Sequence, residues 1–296
     1  MNRPGRERLS NKNKRKSNSR PATHAPRKRF GQNFLTDQGV ITAIARAIAP
    51  REDDNVLEIG PGQGALTDAL FDSGCAINAI EIDRDLQSQL RVMFFNRDLT
   101  LHNADALKFD FSQLSKTAND LRVVGNLPYN ISTPLIFKLL ENLGLIKDMH
   151  FMLQKEVVDR LAATPGTKTW GRVSVMTQID CEVESLFEVP PEAFFPQPKV
   201  QSAIVRITPK TEPYRPECSR EQLSRLVQIA FAQRRKTLRN NLKDVMNDAK
   251  IEGLGIDPSC RAETLSLDQL IDLSMHLPKP SRAGTGQRTQ LNLVGS

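Results

Sequence analysis

A glycine-rich turn and two acidic residues are the first features of this sequence that could bind a ligand. The turn is Glu58–Gly64, E-I-G-P-G-Q-G, which follows an apolar run and precedes a helical pattern. Glycines let a ligand approach the backbone, and a helix N-terminus offers unpaired N–H groups. Glu81 follows the next apolar run, where a carboxylate can accept both hydroxyls of a ribose. Asp105 follows a third such run, where its carboxylate can accept the amine of an adenine.

The spacing of these residues separates two classes of nucleotide site. A dinucleotide site requires G-x-G-x-x-G for a pyrophosphate, whereas the glycines here are spaced G-x-G-x-G. Taken alone, Glu81 could be a solvent-exposed charge. Together, the turn, Glu81 and Asp105 lie at the ends of three successive predicted strands, and ligands bind at such carboxyl ends. The set resembles the pattern by which Rossmann-like methyltransferases bind S-adenosylmethionine.

Asn126-Leu127-Pro128-Tyr129 is the second chemical feature, and it follows the fourth predicted strand. It resembles the [D/N]-x-P-[Y/F] motif of methyltransferases that modify planar amines. The lone pair of such an amine is delocalised, so the nitrogen is a poor nucleophile. The side-chain oxygen of Asn126 and the backbone carbonyl of Leu127 could each accept one amine hydrogen, and Pro128 favours an extended Leu127. Two such acceptors favour a pyramidal nitrogen, and no strong general base is needed because the methylated amine loses its proton to water.

Aromatic residues near these sites could hold a flipped base. Tyr129 offers a face on which such a base can stack. Phe194 is the candidate for the second face, and a buried core phenylalanine is the alternative. An ordinary strand-ending turn is likewise the alternative for the N-L-P-Y segment, since Asn and Pro are common in turns. The predicted catalytic residues are Asn126, Leu127, Pro128, Tyr129 and Phe194.

Alternating strands and helices are predicted to position these residues. The first strands are expected at 56–59, 76–82, 99–102, 121–125 and 149–153, and helices at 36–48, 65–71, 85–95 and 134–143. Further helices are expected at 155–163 and 172–179, and further strands at 181–189 and 202–208. This alternation favours a parallel, doubly wound sheet. After a linker at 211–216 only helices are predicted, over 219–232, 235–248 and 266–277.

Five segments together resemble the bacterial small-subunit ribosomal RNA adenine N6,N6-dimethyltransferase family. They are Arg27–Leu35, Glu58–Gly62, Asn126–Pro134, Phe194–Ser202 and Gln233–Asn241, and the likeness extends over residues 27–277. Members of that family dimethylate two adjacent adenosines in a hairpin near the 3′ end of small-subunit (16S) rRNA. The resemblance implies S-adenosylmethionine as cofactor and small-subunit rRNA within an immature small ribosomal subunit as partner. It also implies cofactor contacts at Asn33, Leu35, Gly60, Glu81, Asp105 and Asn126.

Positive charge is concentrated at the N-terminus. The net charge of the chain is +7, but residues 1–29 contain eleven Lys and Arg and one Glu, so they alone carry +10 and the remainder −3. Such a segment cannot bury enough apolar surface to fold alone. A solubilising extension and a basic arm that attracts phosphate are both open for residues 1–26. This extension, with Trp170 where the family pattern has tyrosine, is the main departure from the resemblance.

A second basic segment is predicted to contact RNA. Residues 233–243 contain five cations and no acid: Arg234, Arg235, Lys236, Arg239 and Lys243. On a continuous helix Arg235, Arg239 and Lys243 would share one face. A solvated helix face is the usual alternative, but a slightly acidic body favours phosphate contacts by these cations.

Composition and spacing also exclude several classes of protein. No 18-residue apolar window and no N-terminal apolar signal segment are present, and the four cysteines and four histidines lack metal-ligand spacing. We therefore expect a cytoplasmic monomer that binds no membrane and no metal. The predicted fold class is α/β, a Rossmann-like methyltransferase domain over 27–210 with a small C-terminal all-α, RNA-binding domain over 211–278. A disordered basic tail over 1–26 and a flexible tail over 279–296 would flank them.

Three other functions remain open. A large-subunit rRNA adenine methyltransferase of the antibiotic-resistance type shares the fold and the N-x-P-Y site, and the C-terminal helical segment disfavours it. A DNA adenine or protein glutamine methyltransferase could use a similar motif. A ribosome-assembly factor that checks subunit maturation, with methylation secondary, is the third, and it can coexist with the enzyme.

Overall fold

The structure is a computed structural model that describes residues 32–278, apart from residues 116 and 213. The tails predicted for 1–26 and 279–296, together with residues 27–31, lie outside the described residues. The strands are β1 (Phe34–Leu35), β2 (Asn55–Ile59), β3 (Ile77–Glu81), β4 (Leu99–Asn103), β5 (Leu121–Asn126), β6 (Ile146–Gln154), β7 (Cys181–Val189), β8 (Phe194–Phe195) and β9 (Ser202–Pro209). The α-helices are α1 (Gln38–Ile48), α2 (Ala65–Leu70), α3 (Arg84–Met93), α4 (Ser132–Leu140), α5 (Lys155–Leu161), α6 (Arg172–Gln178), α7 (Arg220–Ala230), α8 (Leu238–Leu242), α9 (Asp248–Glu252) and α10 (Leu267–Met275).

Seven of these strands form one mixed sheet in the order β4-β3-β2-β5-β6-β9-β7. The strands from β2 to β6 are parallel, as the alternation of strands and helices predicts. The strands β9 and β7 are antiparallel to their neighbours, so the prediction of a parallel sheet is wrong at this edge. No α-helix crosses between β7 and β9, and a parallel pairing would need such a crossover.

The strand order creates a crevice at one edge of the sheet. The chain leaves β2 for β3 and β4 on one side and then crosses to β5 on the other side. Ligands of such sheets bind outside the carboxyl ends of the strands, where the strand order reverses. That point lies between β2 and β5, and a Cβ added to Gly60 would be 3.9 Å from the carbonyl oxygen of Asn126. The glycine-rich turn and the N-L-P-Y segment therefore lie side by side.

Apolar layers cover both faces of the sheet. On one face, Leu135 of α4 and Leu161 of α5 belong to the same core as Phe151 of β6. On the other face, Ile44 of α1 and Leu70 of α2 belong to a core with β2 and β5. The sheet is thus buried on both sides, as the continuous apolar strands predict.

Arg122 of β5 fixes the position of α1. Its guanidinium donates to the carbonyls of Ile48 and Ala49, at 2.7 and 3.2 Å, and so satisfies the C-terminal end of that helix. The same guanidinium pairs with Asp54 at 2.7 Å and with Asp148 at 2.8 Å.

A third core joins the C-terminal helices. The apolar residues of α7 to α10, such as Leu226, Leu242 and Leu270, form one cluster. Trp170, which precedes α6, belongs to the same cluster, and its indole N–H donates to the carbonyl of Leu265 at 3.0 Å. The helical core thus includes residues that precede the predicted boundary at residue 210.

The helix predicted over 235–248 is wrong, because the structure has the two short helices α8 and α9 with turns around them. The N–H groups of Leu238 and Arg239 donate to the carbonyls of Cys260 and Pro258, at 2.7 and 2.9 Å. Within a longer helix they would donate to carbonyls four residues earlier. These two N–H groups bond to another loop and not to carbonyls within a longer helix. The helix therefore begins only at Leu238, the first residue of α8.

This correction changes the arrangement of the basic segment. Arg235 lies in the turn before α8, Arg239 lies on α8, and Lys243 follows it directly. The continuous basic helix face is therefore absent. The neighbouring predictions are confirmed, since α7 and α10 lie within 219–232 and 266–277, and the Ser266 hydroxyl caps α10.

Candidate active site

The glycine-rich turn adopts a conformation that requires its glycines. Gly60, Gly62 and Gly64 have φ of 71°, 57° and 81°, the left-handed region that side chains disfavour. A Cβ on Gly64 would also lie 2.8 Å from the ring of Phe94 of the α3 end. The turn leads directly into α2, so the backbone N–H groups at this helix start lie beside the crevice.

Glu81 lies at the carboxyl end of β3, beside this turn. Its side chain is buried, and its two carboxylate oxygens accept from the N–H of Asp83 at 2.9 Å and, at a longer 3.4 Å, from the N–H of Gly62. Burial raises the pKa of this carboxyl, although these hydrogen bonds lower it. The structure thus places the Glu81 carboxylate beside the glycine-rich turn. This is the position that we expect for an acceptor of the ribose hydroxyls.

Asp105 lies just beyond β4 and lines the same cavity. One of its carboxylate oxygens accepts from the N–H of Leu107 at 3.0 Å, which orients the side chain. Glu81 and Asp105 thus lie at the carboxyl ends of two adjacent parallel strands, as the sequence predicts. Their contacts with the cofactor remain predictions.

Asn126 ends β5 and lines the cavity from the other side of the turn. Its amide NH₂ donates to the backbone carbonyl of Asn33 at 3.1 Å, a contact across the crevice. Among the described residues nothing donates a hydrogen bond to its side-chain oxygen. The amide is therefore oriented with an oxygen acceptor available, as the proposed chemistry requires.

The residues after Asn126 form a fixed turn. The N–H of Leu127 donates to the carbonyl of Met152 at 3.2 Å, and the carbonyl of Pro128 accepts from Ile131 at 3.1 Å. The Tyr129 hydroxyl lies 2.8 Å from the hydroxyl of Ser202 at the start of β9. Burial raises the pKa of this tyrosine, and the ring lines the cavity. The tyrosine ring is thus held at its hydroxyl end as well as by its backbone.

Phe194 is the one predicted catalytic residue that does not line this cavity. It is only 3% exposed and packs in the core that contains Leu35 and Ile204. The structure thus shows the buried core phenylalanine that was the alternative for this position. The adjacent Phe195 is 67% exposed. The role of Phe194 against a base remains a prediction.

The short strand β1 forms part of the wall of the cavity. It pairs with β8 in a two-stranded antiparallel sheet, with Leu35 opposite Phe194 and Phe34 opposite Phe195. Asn33 and Leu35 line the cavity together with the other predicted cofactor contacts, Gly60, Glu81, Asp105 and Asn126. The structure therefore brings all six predicted contacts to one place, although they come from five separate parts of the chain.

Glu58 was not predicted as a site residue, yet it lies in the cavity wall. It is 1% exposed, accepts from the Thr67 hydroxyl at 2.6 Å, and has Glu81 nearby. Burial raises its pKa to about 7, to which the negative charge of Glu81 adds while the Thr67 hydrogen bond opposes it. An acid inside the apolar strand Asn55–Ile59 was a signal that could have identified this residue.

His150 of β6 is a second residue that the sequence analysis missed. It is buried in the cavity wall, and its Nδ1 lies 3.6 Å from the carboxylate of Asp148. Neither ring nitrogen has a hydrogen-bond partner within the described part of the chain. The polar floor of the cavity thus includes Glu58 and His150, on strands to either side of β5.

The basic segment lies away from this cavity, in the helical part. Arg234, Arg235, Lys236, Arg239 and Lys243 are all exposed. Arg234 donates to the carbonyl of Lys168 and lies 3.5 Å from Glu263. Arg239 pairs with Asp248 at 3.0 Å. RNA binding by these five residues remains a prediction, and two of them already have acidic neighbours.

Comparison with known proteins identifies the family. The model of the ribosomal RNA adenine dimethylase family matches residues 23–279, which is most of the chain. The chain belongs to this family. The resemblance read from the five sequence segments is therefore confirmed, and with it the enzyme class, a methyltransferase of rRNA with S-adenosylmethionine as its cofactor.

Curated relatives are similar along nearly their whole length. The ribosomal RNA small subunit methyltransferase A of Chromohalobacter salexigens is 56% identical over 264 residues, which are 88% of this chain and 94% of the relative. The protein of the same name from Pseudomonas aeruginosa is 56% identical over 255 residues, 86% of this chain and 95% of the relative. The chain therefore spans the full body of these proteins.

Solved structures confirm the Rossmann-like methyltransferase fold. A dimethyladenosine transferase from Plasmodium falciparum is 26% identical with a TM-score of 0.68, over 81% of this chain and 95% of that chain. The 23S rRNA methyltransferase ErmE is 27% identical with a TM-score of 0.67, over 83% of this chain and 99% of that chain. Because the similarity to ErmE covers 83% of this chain, it must extend beyond residue 210 into the C-terminal helices. The presence of these helices alone therefore does not exclude a large-subunit enzyme. The higher sequence identity to the small-subunit relatives is what favours a small-subunit enzyme over a large-subunit one.

The described residues contain neither a membrane-spanning helix nor a group of metal ligands. None of their helices combines the length and the apolar composition needed to span a bilayer. No three or more of their His, Cys, Asp and Glu side chains are grouped so that they could hold a metal ion.

Proposed function

We propose that this chain transfers methyl groups from S-adenosylmethionine to N6 of two adjacent adenosines in a hairpin near the 3′ end of small-subunit (16S) rRNA. One observation carries the chemistry. The Asn126 amide is held by the Asn33 carbonyl at 3.1 Å, which leaves its oxygen as an acceptor beside the cofactor cavity. The choice of rRNA is supported by relatives named ribosomal RNA small subunit methyltransferase A.

The residues around the cavity fit S-adenosylmethionine. When bound, this cofactor supplies a methyl group activated on a positively charged sulfur. Glu81 would hold the ribose hydroxyls and Asp105 the adenine amine, and a buried carboxylate such as Glu81 gains from such partners. The remaining contacts would come from Asn33, Leu35, Gly60 and Asn126.

Asn126 and Leu127 act on the acceptor amine. The Asn126 side-chain oxygen and the Leu127 carbonyl each accept one N6 hydrogen, which withdraws the nitrogen from conjugation and turns its lone pair toward the methyl carbon. Because Asn33 fixes the amide and Met152 fixes the Leu127 N–H, these acceptors are in place before the base arrives. Catalysis is then mainly positioning of an in-line transfer, and the proton leaves N6 for water.

Tyr129 holds the adenine ring. A base must leave its stack to reach this cavity, and an aromatic face compensates for part of the stacking that it loses. The hydroxyl of Tyr129 is anchored to Ser202, so the ring has little freedom to turn. Phe194 would supply the second face only if its side chain left the core in which it is 3% exposed.

The helices after residue 210 are proposed to contact the RNA backbone. The exposed cations Arg235, Lys236 and Lys243 have no ion-pair partner among the described residues, so they can meet phosphates without first losing one. We place the substrate in an immature small ribosomal subunit, which would give the enzyme a part in small-subunit biogenesis in the cytoplasm. We also propose that the enzyme acts as a monomer. Residues 27–210 would form the methyltransferase domain and residues 211–278 the RNA-binding domain.

The test is to methylate purified immature small subunits with labelled S-adenosylmethionine and to map the label. We expect dimethylated adenine at two adjacent positions near the 3′ end of the rRNA. Large-subunit rRNA, duplex DNA and a protein acceptor, assayed in parallel, should remain unlabelled. Label in any of these and not in small-subunit rRNA would contradict the proposal.

A further inference from the structure

Phe195 is an exposed aromatic residue that directly follows two buried residues, Ala193 and Phe194. Its side chain is 67% exposed, whereas Phe194 before it is 3% exposed. A phenylalanine left in water forgoes most of the free energy that its burial would contribute. An aromatic ring at such a place is suited to a partner that supplies another flat surface.

The backbone holds this ring outward. Phe194 and Phe195 form β8, and successive side chains of a strand point to opposite sides. The strand is fixed by its pairing with β1 and by Thr36, whose N–H and hydroxyl both bond to the Ala193 carbonyl, at 2.8 and 3.2 Å. Phe195 could turn inward only if Phe194 turned outward, which would open the core beneath β1.

The exposed ring lies opposite a residue that lines the cofactor cavity. Phe195 is directly opposite Phe34 in the β1–β8 pair, and opposed residues of an antiparallel pair share one face. The ring of Phe34 lines the cavity and would lie 3.2 Å from a Cβ on Gly62 of the glycine-rich turn. The chain then returns from Phe195 to Ser202, which holds the hydroxyl of Tyr129 at 2.8 Å. The ring thus adjoins Phe34 of the cavity wall, and the segment that carries it leads to the residue that anchors Tyr129.

We propose that the Phe195 ring is a stacking subsite for the unpaired nucleobase that adjoins the target adenosine in the RNA. This inference rests on the proposed function. A base that enters the cavity leaves its neighbour without a stacking partner on one side, and an exposed aromatic ring replaces that partner. The exposed Lys199 of the same segment can meet a phosphate of the same RNA, whereas a protein partner would need a broader apolar surface than Phe195 and the 43% exposed Val200 offer.

The subsite predicts how variants bind RNA. In Phe195→Ala, the dissociation constant for immature small subunits should rise roughly tenfold, the range of a lost base–aromatic stack. Phe195→Trp should restore or tighten binding, since stacking requires a ring. The KM for subunits should rise in Phe195→Ala while kcat changes less. Affinity for S-adenosylmethionine, measured by calorimetry without RNA, should stay unchanged in both variants.

Phe95→Ala is the matched control. Phe95 is 83% exposed, follows α3 and does not line the cofactor cavity. Its replacement removes a ring even more exposed than that of Phe195 and should leave subunit binding unchanged. In the Phe195→Trp variant, fluorescence should also be quenched when subunits bind, against a background from Trp170, which is 1% exposed.

The possible results separate the two proposals. If wild type methylates small subunits and Phe195→Ala binds them equally well, the stacking subsite is wrong and the proposed function stands. If Phe195→Ala loses cofactor affinity or melts earlier and Phe195→Trp does not restore RNA binding, the ring packs on the protein itself and the subsite is also wrong. If wild type neither binds nor methylates small subunits, the proposed function fails and the subsite fails with it.

Discussion

Asn126 is the residue whose replacement tests the chemistry most directly, because its amide is oriented before any ligand binds. In Asn126→Ala we expect turnover to fall by roughly 10²-fold or more, since an acceptor that matters most in the transition state is lost. Affinity for S-adenosylmethionine should fall much less. Single-turnover methylation and calorimetric titration of the same preparation measure the two effects.

Asn126→Asp provides the control for this prediction. Aspartate keeps an oxygen acceptor but loses the NH₂ that donates to the Asn33 carbonyl. We expect it to retain more activity than alanine and less than wild type. A near-normal single-turnover rate in Asn126→Ala would remove this residue from the mechanism.

Glu81 is the residue on which the cofactor assignment depends most. In Glu81→Ala we expect S-adenosylmethionine affinity to fall by about 1–3 kcal/mol, the range for lost hydrogen bonds to a charged acceptor. Glu81→Gln keeps an oxygen beside the N–H groups of Gly62 and Asp83 and should lose less. Unchanged affinity in folded Glu81→Ala, measured by calorimetry, would contradict the assignment.

At the scale of the elements, the sequence predicts local patterns better than it predicts contacts between loops. The strands and helices around the crevice follow from apolar runs and caps, such as Asp37 at the start of α1. The helix over 235–248 fails because its N–H groups bond to the loop at 258–260, and no local pattern reveals this contact. The burial of Phe194 in the core likewise depends on the pairing of β1 with β8, two strands of two residues each.

The basic segment gives a prediction at the same scale. Arg235→Ala should lower the log–log salt slope of subunit binding by about one unit, because one phosphate contact is lost. Arg239→Ala should lower it less, since Arg239 already pairs with Asp248 at 3.0 Å. Binding to small subunits across a salt series measures both slopes. Equal slopes for wild type and Arg235→Ala would place the phosphate contacts elsewhere.

At the scale of the whole molecule, the buried acids of the cofactor cavity affect stability as well as function. Burial raises the pKa of Glu58 from its ordinary value of 4.5 to about 7. Between these two pH values the folded protein binds more protons at this site than the unfolded chain does. The stability contributed by the protonated acid is therefore complete below about pH 4.5 and is lost as the pH rises to about 7. Glu58 thus contributes less to the stability of the folded protein at neutral pH than in mild acid.

The variant Glu58→Gln tests this link between the cavity and folding. Glutamine keeps an oxygen that can accept from the Thr67 hydroxyl but carries no titrating group. The free energy of unfolding of wild type, relative to that of the variant, should fall by roughly 3 kcal/mol between pH 5 and pH 8, since each unit of pKa shift corresponds to about 1.4 kcal/mol. Urea unfolding at both pH values measures the difference. The control is Glu252→Gln, at an exposed glutamate on α9, whose free energy of unfolding should change with pH as that of wild type does. If the free energy of unfolding of Glu58→Gln changed with pH in the same way as that of wild type, ionisation of Glu58 would not destabilise the folded protein. The cavity floor would then have to be open to water, whereas the structure shows Glu58 1% exposed.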